Sequence, residues 1–183
     1  MPPRTGTTMF SRLLTDWGVA AHNSRHTKPS DSQIDGFNEY VVYGFFRDPL
    51  DRYLSLVRYF KMSVEKPTVI ETAKEKFANV GLTVEQVINA SYDDFVDFPE
   101  TNLAVPFYFD PQVDWLANAQ LLNFNNYTQE VLRVARMLGQ NQVQIGILND
   151  SPQSNEIPSQ KVIDYVQSRY ADDYRLAKER RLG

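Results

Sequence analysis

The segment YVVYGFF at residues 40–46 is the feature that most restricts the fold of this chain. A continuous apolar run of this length is typical of a strand covered on both faces, as in a parallel sheet. Arg47 ends the run, and Asp48-Pro49 supplies an N-cap candidate followed by a proline suited to the first helical position. Apolar residues then recur at helical spacing, at Tyr53, Leu56, Val57 and Phe60. The sequence therefore predicts a buried strand, a turn carrying a cation, and a helix.

Strands and helices are predicted to alternate along the rest of the chain. Strands are predicted at residues 19–21, 121–124 and 143–147, and helices directly after Thr8 and at residues 69–78, 83–90, 128–138, 159–170 and 171–181. The helix at 128–138 is predicted from the apolar residues Val131, Leu132, Ala135 and Leu138, with Gly139 ending it. This order predicts an α/β fold whose parallel sheet binds ligands at the carboxyl ends of its strands. A chain of 183 residues without a repeat or linker is expected to form a single domain, residues 1–183.

Composition excludes several classes of function. The net charge of -4 argues against a nucleic-acid partner, because such proteins neutralise phosphates with a basic face. The absence of cysteine excludes disulfides and thiolate metal sites, and it fits a reducing compartment. No apolar run has the length of a membrane span, and the first residues lack a hydrophobic signal core. We therefore expect a cytoplasmic protein with no membrane span.

The first turn of the chain has the features of an anion site. In the opening sequence MPPRTGTTMFSRLL, the apolar residues Phe10, Leu13 and Leu14 mark one face of a helix that follows Thr8. The preceding turn thus lies at a helix N-terminus, where unpaired N–H groups and the helix dipole favour negative charge. Gly6 allows close approach of the backbone. The alternative is a capped surface helix, since Ser or Thr before an apolar run is also the usual N-cap pattern.

A second anion site is predicted at the end of the strand at 40–46. A nucleoside triphosphatase would have Gly-Lys-Ser/Thr in its loop and an aspartate at this strand end to hold magnesium. Here the strand ends in Arg47, which favours a phosphate and disfavours a divalent metal. Ser55 lies eight residues further on. The alternative is that Arg47 pairs with Asp48 or Asp51 and that Ser55 is an exposed helical serine.

These two segments resemble the phosphate-binding motifs of sulfotransferases that use 3′-phosphoadenosine 5′-phosphosulfate (PAPS). PPRTGTT resembles the 5′-phosphosulfate loop, usually Pro-Lys-x-Gly-Thr-Thr, and FFRDPLDRYLSLVRYF resembles the 3′-phosphate motif. Three further segments are similar to the carbohydrate-type branch: FDPQVDWL to its Pro-Gln segment, NFNNYTQEVLRVARMLG to a helix after a strand, and SRYADDYRL to its Tyr-x-x-Asp helix. The resemblance implies a three-layer P-loop-like fold with a central parallel sheet flanked by helices. Since only Met1-Pro2 precede the loop, its first strand is expected to be missing or truncated.

The resemblance also implies a cofactor and the residues that bind it. PAPS would be bound and adenosine 3′,5′-bisphosphate released, with no metal ion required. The 5′-phosphosulfate would be held by the loop residues Arg4, Thr5, Gly6, Thr7, Thr8 and Met9. The 3′-phosphate would be bound by Arg47 and Ser55. The acceptor would be a hydroxyl group of a carbohydrate or another small molecule, and the acidic middle of the chain favours a neutral or lightly charged one.

The resemblance assigns two catalytic roles. Arg4 stands where the family usually has lysine, and it would neutralise the leaving phosphate, although a forked guanidinium is not equivalent to an ammonium. His22, in the sequence His22-Asn23-Ser24, matches the His-x-Asn-like position of the catalytic base in 2-O-sulfotransferases. His26 and a glutamate such as Glu39 are the other candidates for the base. Aromatic residues between 107 and 115 would be core or, as an alternative, would cover the ligand.

Two other functions are compatible with the same motifs. One is a non-catalytic nucleotide-binding protein with a degenerate sulfotransferase fold, which would bind the bisphosphate without transferring sulfate. The other is a P-loop nucleotide phosphotransferase, which the missing Gly-Lys-Ser/Thr disfavours.

Overall fold

The computed structural model describes residues 7–19, 42–64, 66, 74–75, 77–79, 81–98, 106–116, 119–145 and 156–182. Its elements are α1 (Thr7–Asp16), β1 (Tyr43–Phe46), α2 (Pro49–Val64), α3 (Val84–Asn89), α4 (Tyr92–Asp97), a 3-10 helix (Pro106–Phe109), α5 (Val113–Leu116), β2 (Gln120–Asn123), a second 3-10 helix (Phe124–Asn126), α6 (Tyr127–Met137), α7 (Gln160–Arg169) and α8 (Ala171–Arg180). Helices predominate over the two-stranded parallel sheet, so the described residues have a mixed α/β structure. None of these helices combines the length and the apolar character that crossing a bilayer requires.

The chain divides into two compact units. The first takes its described residues from Met1–Asp48, Pro111–Asp150 and Asp172–Gly183. The second takes them from Pro49–Asp110 and Ser151–Ala171. The single domain expected for residues 1–183 stays a prediction.

In the first unit, β1 and β2 pair in parallel. Phe46 lies opposite Asn123 at the carboxyl ends of the two strands. The strand predicted at 40–46 is confirmed from Tyr43 onwards, and residues 40–41 lie outside the described ones. The strand predicted at 121–124 is confirmed with its bounds one residue earlier. The residues that directly follow the two strands therefore lie at the same edge of the sheet.

Helix α1 packs on this sheet through the face that its sequence predicts. Phe10 and Leu13 are buried in one cluster with Phe45, and Leu14 and Trp17 pack against it half-buried. The rings of Phe10 and Phe45 meet edge to face with their centroids 5.3 Å apart. Because Phe10 belongs to the first turn of α1 and Phe45 to the last residues of β1, that turn lies beside the carboxyl end of β1.

The helix predicted at 128–138 is confirmed as α6, with its bounds one residue earlier. The structure buries Val131, Val134 and Ala135. Of the other apolar residues that predicted the helix, Leu132 is 36% exposed and Leu138 is 41% exposed. Successive helical residues are about 100° apart, and the sheet contacts the i, i+3, i+4 stripe that begins at Val131.

Two predictions concern the residues after α6, namely the helix end at Gly139 and the strand at 143–147. Gly139 has a φ of +74°, a left-handed conformation that favours glycine at the end of a helix, as predicted. The described residues 143–145 are not in a strand, although Val143 and Ile145 pack half-buried against the same core as α1. Their alternating pattern reports burial of one side, and it does not require pairing with another strand.

The second unit is built around α2. Pro49 is its first residue, and the predicted face of Tyr53, Leu56, Val57 and Phe60 is buried, so this helix is confirmed. The helix predicted at 83–90 is confirmed as α3, and the predicted C-terminal helices are confirmed as α7 and α8. Capping boxes formed by Thr83 with Gln86 and by Ser91 with Asp94 begin α3 and α4.

Gly44 allows β1 to lie close to α5. A Cβ atom at this position would collide with Cδ2 of Leu116 and would lie 3.5 Å from Cβ of Ala119. We expect Gly44→Ala to lower the free energy of unfolding by about 1–3 kcal/mol, because the buried leucine has little room to move. Urea denaturation would measure this loss.

A double-mutant cycle tests the cause of that loss. Leu116→Ala alone is expected to cost about 2–5 kcal/mol because it leaves a cavity. In the double variant the alanine methyl at 44 occupies part of the cavity, so the total cost should fall below the sum of the single costs by at least about 1 kcal/mol. Additive costs would contradict this account of Gly44.

Candidate functional site

Arg47 follows β1 directly, and its main chain is held by a single side chain. The Arg47 N–H donates to Oε1 of Gln112 at 3.0 Å, and Nε2 of Gln112 donates to the Arg47 carbonyl at 2.8 Å. A primary amide has both a donor and an acceptor, so it can pair with both main-chain groups as a neighbouring strand would. Gln112 thus fixes the backbone of Arg47 just beyond the last residue of β1.

Gln112 is in turn held by the carboxylate of Asp173. The N–H groups of Gln112 and Val113 donate to Oδ2 and Oδ1 of Asp173, each at 2.9 Å, and Nε2 of Gln112 lies 3.4 Å from Oδ2. Both Gln112 and Asp173 are 0% exposed. A buried carboxylate requires such donors, and these two amides lie at the start of α5. We call this connected set of Asp173, Gln112 and Arg47 the clamp.

The charged end of Arg47 contacts an aromatic ring at the end of the neighbouring strand. The Arg47 Cζ atom lies over the Phe124 ring, 4.7 Å from its centroid. Phe124 directly follows β2 as Arg47 directly follows β1. A cation over an aromatic face is attracted by the ring quadrupole, and this attraction does not use an N–H donor. The sheet edge therefore positions a half-buried cation against an aromatic face.

Tyr127 borders this ring and remains neutral. Its ring centroid lies 5.8 Å from that of Phe124 and 4.6 Å from that of Phe45. Burial raises the pKa of Tyr127 to about 12. At neutral pH its phenol is therefore protonated, and it is not a candidate for a general base.

The structure describes the backbone of the second half of the predicted phosphosulfate loop. The backbone of Thr7, Thr8 and Met9 forms the first turn of α1, whose leading N–H groups have no acceptor within the helix. The contact between Phe10 and Phe45 brings this turn to the carboxyl end of β1, the end at which Arg47 lies. The other predicted residues Arg4, Thr5, Gly6 and His22, as well as His26, lie outside the described residues.

Ser55 lies in the second unit, on α2, and is 2% exposed. The alternative that it is an exposed helical serine is therefore wrong. Its assignment to a 3′-phosphate depends on its spacing from Arg47 in the sequence motif, and it stays a prediction.

Arg52, the second arginine of the same motif, is a structural residue of the second unit. It is fully buried, and its two terminal nitrogens donate to the carbonyls of Asp110 at 3.0 Å and Tyr108 at 2.7 Å. The Tyr170 hydroxyl donates to the carbonyl between them, that of Phe109, at 2.8 Å. Side chains thus satisfy three successive carbonyls at the end of a 3-10 helix.

The sequence motifs do not reveal the roles of Gln112 and Asp173. Both residues lie in segments that resemble the sulfotransferase family, FDPQVDWL and SRYADDYRL, and hydrogen bonds join these segments in the structure. The core interpretation of the aromatic residues between 107 and 115 is confirmed for Phe109 and Trp115, which are buried. Tyr108 is half-buried, with its ring 6.3 Å from that of Tyr59.

The acids of α4 have local structural roles in the second unit. Asp94 accepts from the Ser91 hydroxyl and main-chain N–H, both at 2.7 Å, and these hydrogen bonds lower its pKa. Asp97 pairs with Lys161 at 2.7 Å, and Asp93 accepts from the Ser159 hydroxyl. This part of the acidic middle thus caps helices and pairs with α7.

Comparison of the chain with protein-family models, with curated proteins and with solved structures gave no match in any of the three.

The clamp predicts that two neighbouring acids, Asp173 and Asp172, contribute very differently to the free energy of unfolding. Asp173→Ala leaves the buried N–H of Gln112 and the partly buried N–H of Val113 without their acceptor, and at about 1–3 kcal/mol for each we expect a loss of about 2–6 kcal/mol in unfolding free energy. Asp172→Ala is the matched control, because its side chain is 58% exposed and pairs with Arg175. This control should cost less than about 1 kcal/mol. Equal losses in the two variants, measured by denaturant unfolding, would contradict the role of Asp173.

Proposed function

We propose that this chain is a PAPS-dependent sulfotransferase that transfers a sulfuryl group to a hydroxyl of a carbohydrate acceptor. The observation that carries the proposal is the position of Arg47. Its main chain is held by Gln112, and it lies at the carboxyl end of β1, where the first turn of α1 also lies. Arg47 and this helix turn both favour anions and lie at the same end of one strand. This arrangement suits a nucleotide that carries phosphates at its 3′ and 5′ positions.

The donor set fits this ligand. A helix N-terminus suits the 5′ end, and the forked guanidinium of Arg47 suits a phosphate at the 3′ end. Thr5 to Met9 would add the hydroxyl and amide donors of the loop, and the motif adds Ser55. The proposal includes a three-layer P-loop-like fold in which β1 and β2 belong to a larger central parallel sheet, and a cytoplasmic location with no nucleic-acid partner.

PAPS would supply the sulfuryl group, and adenosine 3′,5′-bisphosphate would leave when the acceptor oxygen bonds to sulfur and the bridging S–O bond breaks. Arg4 would neutralise the charge that develops on the departing phosphate, in the manner of cations in phosphoryl transfer. His22 would take the proton of the acceptor hydroxyl. An imidazole of ordinary pKa, about 6.5, is suited to this role near neutral pH.

Calorimetry with adenosine 3′,5′-bisphosphate tests the binding half of the proposal. Arg47→Ala should weaken binding by about 10- to 150-fold, because a charge-assisted hydrogen bond contributes about 1.5–3 kcal/mol. Arg175→Ala removes an exposed arginine of the same unit and should leave affinity unchanged. Preference of the wild-type chain for ATP with magnesium would instead favour a phosphotransferase.

Transfer of labelled sulfate from PAPS to glycans tests the catalytic half. His22→Ala should lower turnover by about 10²- to 10⁴-fold and remove the acidic limb of the pH–rate profile, where protonation of His22 lowers the rate, whereas His26→Ala should not. Arg4→Ala should lower turnover with the nucleotide still bound. An unaltered profile in His22→Ala would reject this base. Binding of the bisphosphate without transfer to any acceptor would support the non-catalytic alternative.

A further inference from the structure

The two ends of Arg47 are held by different residues. Gln112 pairs with its main chain, which fixes the point from which the side chain starts. The guanidinium is separated from that point by four rotatable bonds, and an arginine loses considerable rotamer freedom when it is ordered. A fixed backbone alone therefore does not place the charged group. In this structure the guanidinium lies over the ring of Phe124, with Cζ 4.7 Å from the ring centroid.

Phe124 is itself firmly placed. It follows β2 directly, and the Asn123 side chain before it accepts from the Asn125 N–H at 2.9 Å and donates to the Leu182 carbonyl at 3.1 Å. Its ring meets the Tyr127 ring edge to face at 5.8 Å and packs against the core cluster of α1, β1 and α6. The ring is thus part of the packed core on one side and contacts the guanidinium on another.

We propose that Phe124 is a positioning residue that holds the Arg47 guanidinium in place for a 3′-phosphate. Phe124 thereby sets the preference for a nucleotide with a 3′-phosphate over one with a 3′-hydroxyl. The inference rests on the proposed function, since it takes the 3′-phosphate as the ligand of Arg47. An aromatic face that already restricts a guanidinium reduces the freedom that this group loses on binding, and the contact does not itself use the N–H groups that donate to a phosphate.

The ratio of two affinities measures this role directly. Adenosine 3′,5′-bisphosphate and adenosine 5′-phosphate share the base, the ribose and the 5′-phosphate, so the ratio of their dissociation constants reports the 3′-phosphate alone. A ring that stacked on adenine, or that served only the fold, would change both affinities together and leave the ratio unchanged.

Calorimetry with both nucleotides on the full chain should separate these roles. Phe124→Leu and Phe124→Met keep an apolar side chain and remove the aromatic face, and each should reduce the ratio by about 5- to 30-fold. Phe124→Tyr keeps the face and should retain the ratio within about twofold. Val131→Ala, which weakens the same core cluster without touching Arg47, should also retain it.

The outcomes separate this inference from the proposed function. A wild-type preference for the bisphosphate that survives unchanged in both Phe124→Leu and Phe124→Met would overturn the positioning role alone. An equal loss of affinity for both nucleotides would also overturn it. A wild-type chain that binds the two nucleotides equally would reject the proposed function itself. A reduced ratio that Phe124→Tyr restores would support both.

Discussion

The buried carboxylate of Asp173 is the constraint on which the candidate site depends. A carboxylate removed from water is costly unless donors surround it, and here two successive main-chain amides point at its two oxygens. This requirement fixes Gln112, whose amide then pairs with the main chain of Arg47. The position of a cation at the end of β1 is therefore set by an acid 126 positions away in the printed sequence, through a single intervening side chain.

The sheet converts this local arrangement into a site. Parallel pairing places the residues after β1 and β2 at one edge, so that Arg47 and Phe124 become neighbours. The same pairing forms the surface on which Phe10 packs and so brings the first turn of α1 to that edge. A cation and a helix N-terminus thus lie at one strand end, and each of these features favours an anion. The proposed nucleotide would use both.

Sequence patterns predicted the elements better than the site. The apolar run ending at Phe46, the proline at the start of α2 and the glycine after α6 each act through local physics, and each element was predicted near its observed bounds. Leu132 shows the limit of periodicity, because apolar spacing predicts the helix but does not determine which of its apolar residues the packing partner covers. Gln and Asp are residue types that usually lie at the surface, so their burial at positions 112 and 173 was not expected. Their contacts join segments that are distant in the sequence, and helix or strand periodicity does not predict such contacts. The two segments could be found by their resemblance to the family, but the roles of these residues follow only from the hydrogen bonds in the structure.

The most direct test of the account is a crystal structure of the chain with adenosine 3′,5′-bisphosphate. It should show 3′-phosphate oxygens about 2.7–2.9 Å from the Arg47 guanidinium nitrogens. The 5′-phosphate should lie against the main-chain N–H groups at the start of α1. A guanidinium directed away from the nucleotide, or a 5′-phosphate bound away from that helix terminus, would contradict the central claim that one strand end holds both phosphates.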